Sequence, residues 1–156
     1  MEIIAILHNI RSLHNVGSMF RTADGAGAAK IYLTGYTPAP IDVFGKVRPE
    51  IAKTALGAEK TMSWEKKKDI GQLIADLKKQ GFLIWALEQA KNSVPYNNLK
   101  LKKRTRVALV VGNEVRGLAP GILKKCDRIL EIPMRGKKES LNVSVAFGIG
   151  LYRMIR

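Results

Sequence analysis

The stretch VALVVGNEVRG, from Val107 to Gly117, decides the fold. Val107–Val111 is a continuous apolar run rich in β-branched residues, the pattern of a strand covered on both faces. It runs directly into Gly112-Asn113-Glu114-Val115-Arg116-Gly117, a glycine-bounded turn that offers backbone N–H groups and one carboxylate. Four further runs of the same kind flank it in the chain: Ile3–Leu7, Lys30–Leu33, Phe82–Leu87 and Ile129–Ile132. Helical spacing fills the intervals. Val16, Met19, Phe20 and Ala23 recur at i, i+3, i+4 and i+7, with Asn15 placed as a cap and Gly25 and Gly27 as stops. Ile70, Leu73, Ile74 and Leu77 repeat the spacing and Gly81 closes it, while Pro120 opens a short helix reaching Lys125. Strand alternating with helix predicts an α/β fold on a mainly parallel sheet, whose ligands gather beyond the carboxyl ends of the strands.

Composition bounds the function. The chain has 156 residues, with 27 Lys+Arg against 13 Asp+Glu for a net charge of +14, and 46% of it is hydrophobic. That length suits one domain, and with no internal repeat or linker residues 1–156 read as a single unit. Such a domain buries roughly 70% of its unfolded surface, so it folds without a metal or a disulfide. The apolar content excludes a disordered basic tail. One cysteine, Cys126, excludes a disulfide framework and a cysteine-based zinc site, and itself reads as a small buried apolar residue. Apolar runs fall far short of the roughly 18 residues that span a bilayer. Ile3–Leu7 behind Glu2 is too short, and too little basic, for a secretory signal. The expected location is the cytoplasm. Between Lys91 and Lys138 stand 13 Lys/Arg against Glu114, Asp127 and Glu131, so 13 − 3 = +10 is concentrated there. Clustered excess of this size marks a polyanion partner. Nucleic acid is favoured over a membrane, because no basic amphipathic helix carries aromatic residues opposite its charge.

Familiar phosphate-binding motifs are missing. Gly112 to Gly117 has the glycine spacing of a P-loop but continues as Leu118-Ala119, and no G-x-G-x-x-G follows a strand. His8 and His14 lack carboxylates at metal-ligand spacing, so no metal is expected. Three segments carry the polar residues that chemistry needs. The first, Asn9 to Thr22, sets Asn15 at a helix start and Arg21 on the polar side, with Gly17 and Ser18 leaving room for a phosphate or sugar. The second is the Gly112–Gly117 turn. The third runs from Ile132-Pro133-Met134 through Arg135 to Glu139, then enters Ser140-Leu141-Asn142-Val143-Ser144 with Ser140 as the expected cap. Leu141–Ile155 is apolar all round and should be buried in the core or at a subunit contact, with Gly148 and Gly150 open to another backbone. Residues Gly35–Lys46, with Pro38, Pro40 and Gly45, read as one long surface loop of the kind that carries binding residues.

In this order the three segments resemble the TrmH-type (SpoU) branch of the SPOUT RNA methyltransferases. The likeness spans essentially the whole chain, including Thr37-Pro38 and Lys53-Thr54-Ala55-Leu56-Gly57-Ala58-Glu59. It implies an α/β domain with a C-terminal deep trefoil knot, an exception to the rule against knots. It also implies a homodimer that transfers a methyl group from S-adenosylmethionine to a ribose 2′-hydroxyl of tRNA or rRNA, releasing S-adenosylhomocysteine. The family's catalytic positions fall on Asn15, Arg21, Glu114, Ser140 and Asn142. The cofactor positions fall on Leu87, Gly112, Asn113, Gly117, Ile132, Met134, Leu141 and Ser144. Methyl transfer is an in-line displacement, so alignment and electrostatics are what a protein supplies. Arg21 is assigned to holding a phosphate or ribose beside the attacking oxygen, since a guanidinium does not readily give up its proton. Glu114 is placed to orient Arg21 or Asn15, while Ser140 and Asn142 are placed to fix the 2′-hydroxyl and the cofactor end. Many relatives carry an added RNA-binding domain, and its absence from this sequence tilts the expectation slightly to tRNA. Two other readings stand beside this one: a non-catalytic RNA- or ribosome-binding protein of the same fold, and a knotted enzyme that methylates a base.

Overall fold

The computed structural model describes residues 1–155. In chain order the elements are β1 (Glu2–His8), α1 (Leu13–Gly25), β2 (Lys30–Thr34), α2 (Pro49–Ala55), α3 (Ala58–Thr61), β3 (Trp64–Lys67) and α4 (Ile70–Lys79). The second half adds β4 (Leu83–Leu87), β5 (Val94–Pro95), a 3-10 turn at Tyr96–Asn98, β6 (Arg106–Val111), α5 (Pro120–Leu123), β7 (Arg128–Glu131) and α6 (Val143–Met154). The seven strands form one sheet in the order β3-β2-β1-β6-β4-β7-β5, and every pairing is parallel. All five expected apolar strands are present, shifted by a residue or so at their ends. Two strands were not expected. β3 and β5 are the sheet edges, where one side needs no apolar cover, and β3 carries Glu65, Lys66 and Lys67.

Alternation along the strands sorts the core into two layers. Ile3, Ala5 and Leu7 of β1 join Val107, Leu109 and Val111 of β6 beneath α1, α2 and α6. Ile4 and Ile6 join Ala108 and Val110 on the opposite face, under Ile70, Leu73, Ile74 and Leu77 of α4. Each fully buried aliphatic side chain of this kind contributes about 1.5–3 kcal/mol relative to exposure.

The helix ends differ from the sequence expectation. Ser12, rather than Asn15, caps α1: its Oγ accepts the Asn15 N–H at 3.2 Å. Asn142, rather than Ser140, caps α6, with its Oδ1 accepting the Ser144 N–H at 2.9 Å. Both expected caps sit within three residues of the true ones, and each stretch holds several capping-type residues. α6 is not buried all round: Phe147, Gly150, Leu151 and Met154 are buried, but Val145 and Tyr152 are about half exposed. A Cβ built on Gly150 meets the Leu87 side chain at 3.1 Å and one on Gly148 meets Thr22, so neither glycine faces another backbone. The Gly35–Lys46 segment is a surface loop only in its outer half. Thr37, Ala39 and Pro40 are buried, and an Ile41–Val47 bridge ties the base of the outer turn. Among the described residues no helix is long and apolar enough to cross a membrane.

Candidate active site

The carboxyl ends of β4, β6 and β7, three adjacent strands, open onto one cavity of about 240 Å³. Its apolar wall is Leu87, Ile132, Met134, Leu141, Val143 and Ala146; its polar rim includes Glu88, Gln89, Asn113, Glu114, Glu131 and Ser140. The Gly112–Leu118 turn forms one side. Backbone runs so close there that a Cβ on Gly112 would lie 2.7 Å from the Gly117 carbonyl. Gly117 itself adopts φ +64°, and a Cβ on it would strike the Glu88 carboxylate at 2.1 Å. Glu88 closes this side by accepting the Leu118 N–H at 2.8 Å. Gln89 Nε2 donates to the Glu139 carbonyl at 2.9 Å and so pins the loop before α6.

A chain of hydrogen bonds links the three polar segments. Glu114 accepts the N–H groups of Arg11 at 3.1 Å and Ser12 at 3.0 Å, and the Asn15 side-chain amide at 3.3 Å. Asn15 Oδ1 accepts the Asn142 amide at 3.3 Å, and Asn142 Oδ1 accepts the Ser144 hydroxyl at 2.6 Å. Partial burial pushes the Glu114 carboxyl up. The N–H donors of Ser12, Glu114 itself and Arg11, with the Asn15 amide, outweigh it and hold the group below its ordinary range. Glu114 therefore stays ionised as a fixed anchor for the turn before α1, with charge-assisted bonds on both oxygens.

Arg21 stands apart. It is exposed on α1, six residues and about 9 Å of helix rise beyond Asn15. Its cleft is lined by Ser18, Thr22, Asp24, Gly25, Thr54 and Tyr152, none of which lines the β4-β6-β7 cavity. Glu114 thus orients Asn15, and among the described residues it forms no hydrogen bond or ion pair with the Arg21 side chain. Gly17 leaves no room for a ligand, since a Cβ there would lie 1.9 Å from Thr54 Oγ1 and 2.4 Å from the Ile51 carbonyl. The residue serves the close packing of α1 on α2. His8 lies at the end of β1, bonded through Nδ1 to Thr34 Oγ1 at 2.9 Å, and burial holds its pKa down. Burial also pushes the Cys126 thiol up to about 11, which keeps it protonated and unreactive. Among the described residues no group of three or more His, Cys, Asp or Glu side chains is arranged to hold a metal.

A sequence profile of the SpoU rRNA Methylase family matches residues 2–152. The chain belongs to this family. Its relatives include the 23S rRNA (guanosine-2'-O-)-methyltransferase RlmB of Xanthomonas axonopodis pv. citri, 31% identical over 99% of the chain and 58% of the relative. Another is the tRNA (guanosine(18)-2'-O)-methyltransferase of Aquifex aeolicus, 35% identical over 99% of the chain and 69% of that protein. In three dimensions the fold matches an AdoMet-bound rRNA methyltransferase from Sinorhizobium meliloti with a TM-score of 0.86 and 29% identity, over 97% of this chain and 55% of that one. It also matches the A. aeolicus TrmH/SpoU tRNA modifying enzyme with a TM-score of 0.82 and 32% identity, over 97% of this chain and 73% of that one. The chain thus spans less than three-fifths of its RlmB relatives.

In this SpoU-family chain the cavity collects Leu87, Gly112, Asn113, Glu114, Gly117, Ile132, Met134, Ser140 and Leu141 from the sequence expectation. Asn15, Asn142 and Ser144 reach it through the hydrogen-bonded chain, and Arg21 does not. Glu88, Gln89 and Glu131 were missed. They follow or end strands β4 and β7, where the rule placing ligands beyond strand carboxyl ends points. Val143 and Ala146 were missed because they face the cavity from the first turns of α6, within a run that reads as uniformly apolar.

Proposed function

We propose that this protein transfers a methyl group from S-adenosylmethionine to a ribose 2′-hydroxyl of tRNA or rRNA. One observation carries the reading: the Glu114–Asn15–Asn142–Ser144 chain joins three distant segments beside an apolar cavity at the carboxyl ends of β4, β6 and β7. The donor set fits the cofactor. An adenine needs a flat apolar slot with backbone partners, which Leu87, Ile132, Leu141 and Ala146 with the tight Gly112 turn provide. Glu88 and Glu131 on the rim suit a cationic, amine-bearing end. When bound, S-adenosylmethionine supplies the methyl group on a sulfonium.

The rest of the mechanism belongs to the chain. Asn15 and Asn142, held by Glu114, orient a ribose hydroxyl at the cavity mouth. Ser140 lies on the same rim. Arg21 holds a phosphate or ribose and balances charge on the attacking oxygen. Because its cleft shares no residue with the cavity, Arg21 is supplied by a second copy, making the working form a homodimer. The half-exposed apolar Val145 and Tyr152 on α6, with Tyr152 in the Arg21 cleft, support that assembly. The trefoil threading of the segment after β7 belongs to the same proposal, supported by the insertion of β6 and β7 between earlier strands.

The test is to incubate the protein with methyl-labelled cofactor and, in parallel, unmodified tRNA and rRNA, then digest to nucleosides. Label on ribose in one pool is the expected result and names the substrate class. Label on a base, or cofactor binding with no label in either pool, overturns the reading.

A further inference from the structure

Beside the cavity lies a second, open cleft lined by Arg11, Tyr36, Asn113, Val115 and Arg116, sharing Asn113 and Val115 with it. Its centre is rigid. Asn113 is 9% exposed, and its side-chain amide donates to the Tyr36 hydroxyl at 3.0 Å and to the Asn9 carbonyl at 3.1 Å. Asn9 in turn adopts φ +54°, rare for a residue with a side chain, and its Oδ1 accepts the Tyr36 N–H at 3.1 Å. Gly35 makes that approach possible, since a Cβ there would lie 1.8 Å from Asn9 Oδ1. Tyr36 is thus fixed at both its backbone and its hydroxyl, yet 55% exposed.

The cations around it are free to bind an anion. The Arg11 N–H goes to Glu114 and the Arg116 N–H to Asn113 Oδ1 at 2.8 Å, so both backbones are pinned. Among the described residues the ion pairs are Lys30–Glu65, Lys67–Glu65, Lys78–Asp127 and Arg106–Glu2, and neither arginine takes part. Glu114 nearby spends its oxygens on the N–H groups of Arg11 and Ser12 and on the Asn15 amide, and among the described residues it forms no ion pair with either guanidinium. Val115, 90% exposed, stands on the shared rim as an apolar edge.

We propose that this cleft is a nucleotide subsite of the RNA, which stacks a base neighbouring the methylated ribose on the Tyr36 ring and sets the adjoining phosphates against Arg11 and Arg116. A rigid aromatic face flanked by unpaired guanidinium groups is the chemistry that holds splayed single-stranded bases without reading their sequence. The chain's +14 charge suits that partner. The inference rests on the ribose-methylation reading for which nucleotide is held, and its test separates the two.

With the RNA pool that accepts methyl label, Tyr36→Leu is expected to raise KM for RNA about 5- to 150-fold, the range for a lost base stack. KM for S-adenosylmethionine should stay within about twofold by the same argument, and Tyr36→Phe, which keeps the ring, should recover most of the RNA affinity. The Arg11→Ala, Arg116→Ala double variant should flatten the salt dependence of binding to a fluorescein-labelled single-stranded RNA by about 1.4 in log–log slope, two phosphates at about 0.7 each. An unchanged KM for RNA in Tyr36→Leu overturns the subsite. So does an equal rise in both KM values, which would mean that Tyr36 only supports Asn113. A change in the double variant's oligomeric mass with RNA binding intact also overturns it, because the cleft would then be a contact between copies. If neither RNA pool is methylated but labelled RNA still binds more weakly to Tyr36→Leu, the subsite stands and the activity falls.

Discussion

Glu114→Gln tests the junction on which the site depends. The carboxylate takes N–H donors from Arg11, at 3.1 Å on Oε1 and 3.2 Å on Oε2, from Ser12 at 3.0 Å, and from the Asn15 amide at 3.3 Å. An isosteric amide keeps one acceptor oxygen for Ser12 and Asn15 but turns an NH2 toward the donors of Arg11 and Asn113. At least one charge-assisted bond is lost and a donor is left facing a donor, which costs about 1.5–3 kcal/mol when water is excluded. Glu114 is only partly buried, so about 1–2 kcal/mol is expected. At this chain length that lowers Tm by about 2–8 °C. The acid dependence gives the sharper signature. The folded carboxyl sits below its ordinary value of 4.5, so its contribution is complete above that pH and is lost as pH falls through the lower folded value. Urea unfolding of both proteins at one protomer concentration, at neutral pH and stepwise into the acid range, measures the gap. The gap should be present at neutral pH and close in acid. Equal midpoints at neutral pH, or a gap that persists unchanged in acid, would refute the reasoning.

Three other outcomes are expected. Ser12→Ala should cost about 1 kcal/mol by removing the α1 cap, read as a lower urea midpoint with unchanged slope. His8→Gln should flatten the pH dependence of stability in mild acid: burial lowers the folded pKa below 6.5, so the neutral imidazole's contribution is full above 6.5 and lost as pH falls through the folded value. Equally steep profiles for the two proteins would remove His8 from that dependence. Arg21→Ala should abolish methyl transfer while cofactor affinity, measured by calorimetry, stays within a few-fold; near-normal turnover would take Arg21 out of the mechanism.

The five inner strands were legible through the apolar runs at their centres, which a sheet covered on both faces demands, with β7 the weakest case because only Leu130 of it is buried. β3 and β5 were not, because an edge strand is held by backbone pairing and β3 carries charge along much of its length. The caps were misplaced by two or three residues because Ser12 and Asn15, and Ser140 and Asn142, are all competent capping types. Only the backbone turn decides among them: Ser12 is extended at φ −75° and ψ 116°. Gly17 was misread for a deeper reason. A small residue on a helix looks the same in sequence whether it admits a ligand or another helix, and here Thr54 and the Ile51 carbonyl occupy the space. Tyr36 carried no signal beyond its place in a loop, since its partner Asn113 lies 77 positions away.

The strand order explains why residues so distant converge. The chain lays β1, β2 and β3 outward in one direction, then places β4 on the other side, leaving a gap that β6 fills against β1 and β4. β7 then enters between β4 and β5. Each late strand is therefore flanked by earlier ones, and the loops leaving β4, β6 and β7 crowd together at the point where the order reverses, the place where open parallel sheets bind ligands. Crowding accounts for the glycines: the β6 turn must pass within 2.7 Å of a Cβ position at Gly112, and the Glu88 carboxylate must fill the space beside Gly117. It also accounts for Glu114. Once β6 lies beside β1, the turn after β6 meets the turn after β1, and the donors left open before α1 by Arg11 and Ser12 find their acceptor in the carboxylate that the incoming strand brings. The carboxylate that closes this seam also accepts the Asn15 amide at 3.3 Å, so the group that ties the turn after β6 to the turn before α1 is the same one that holds Asn15 against Asn142.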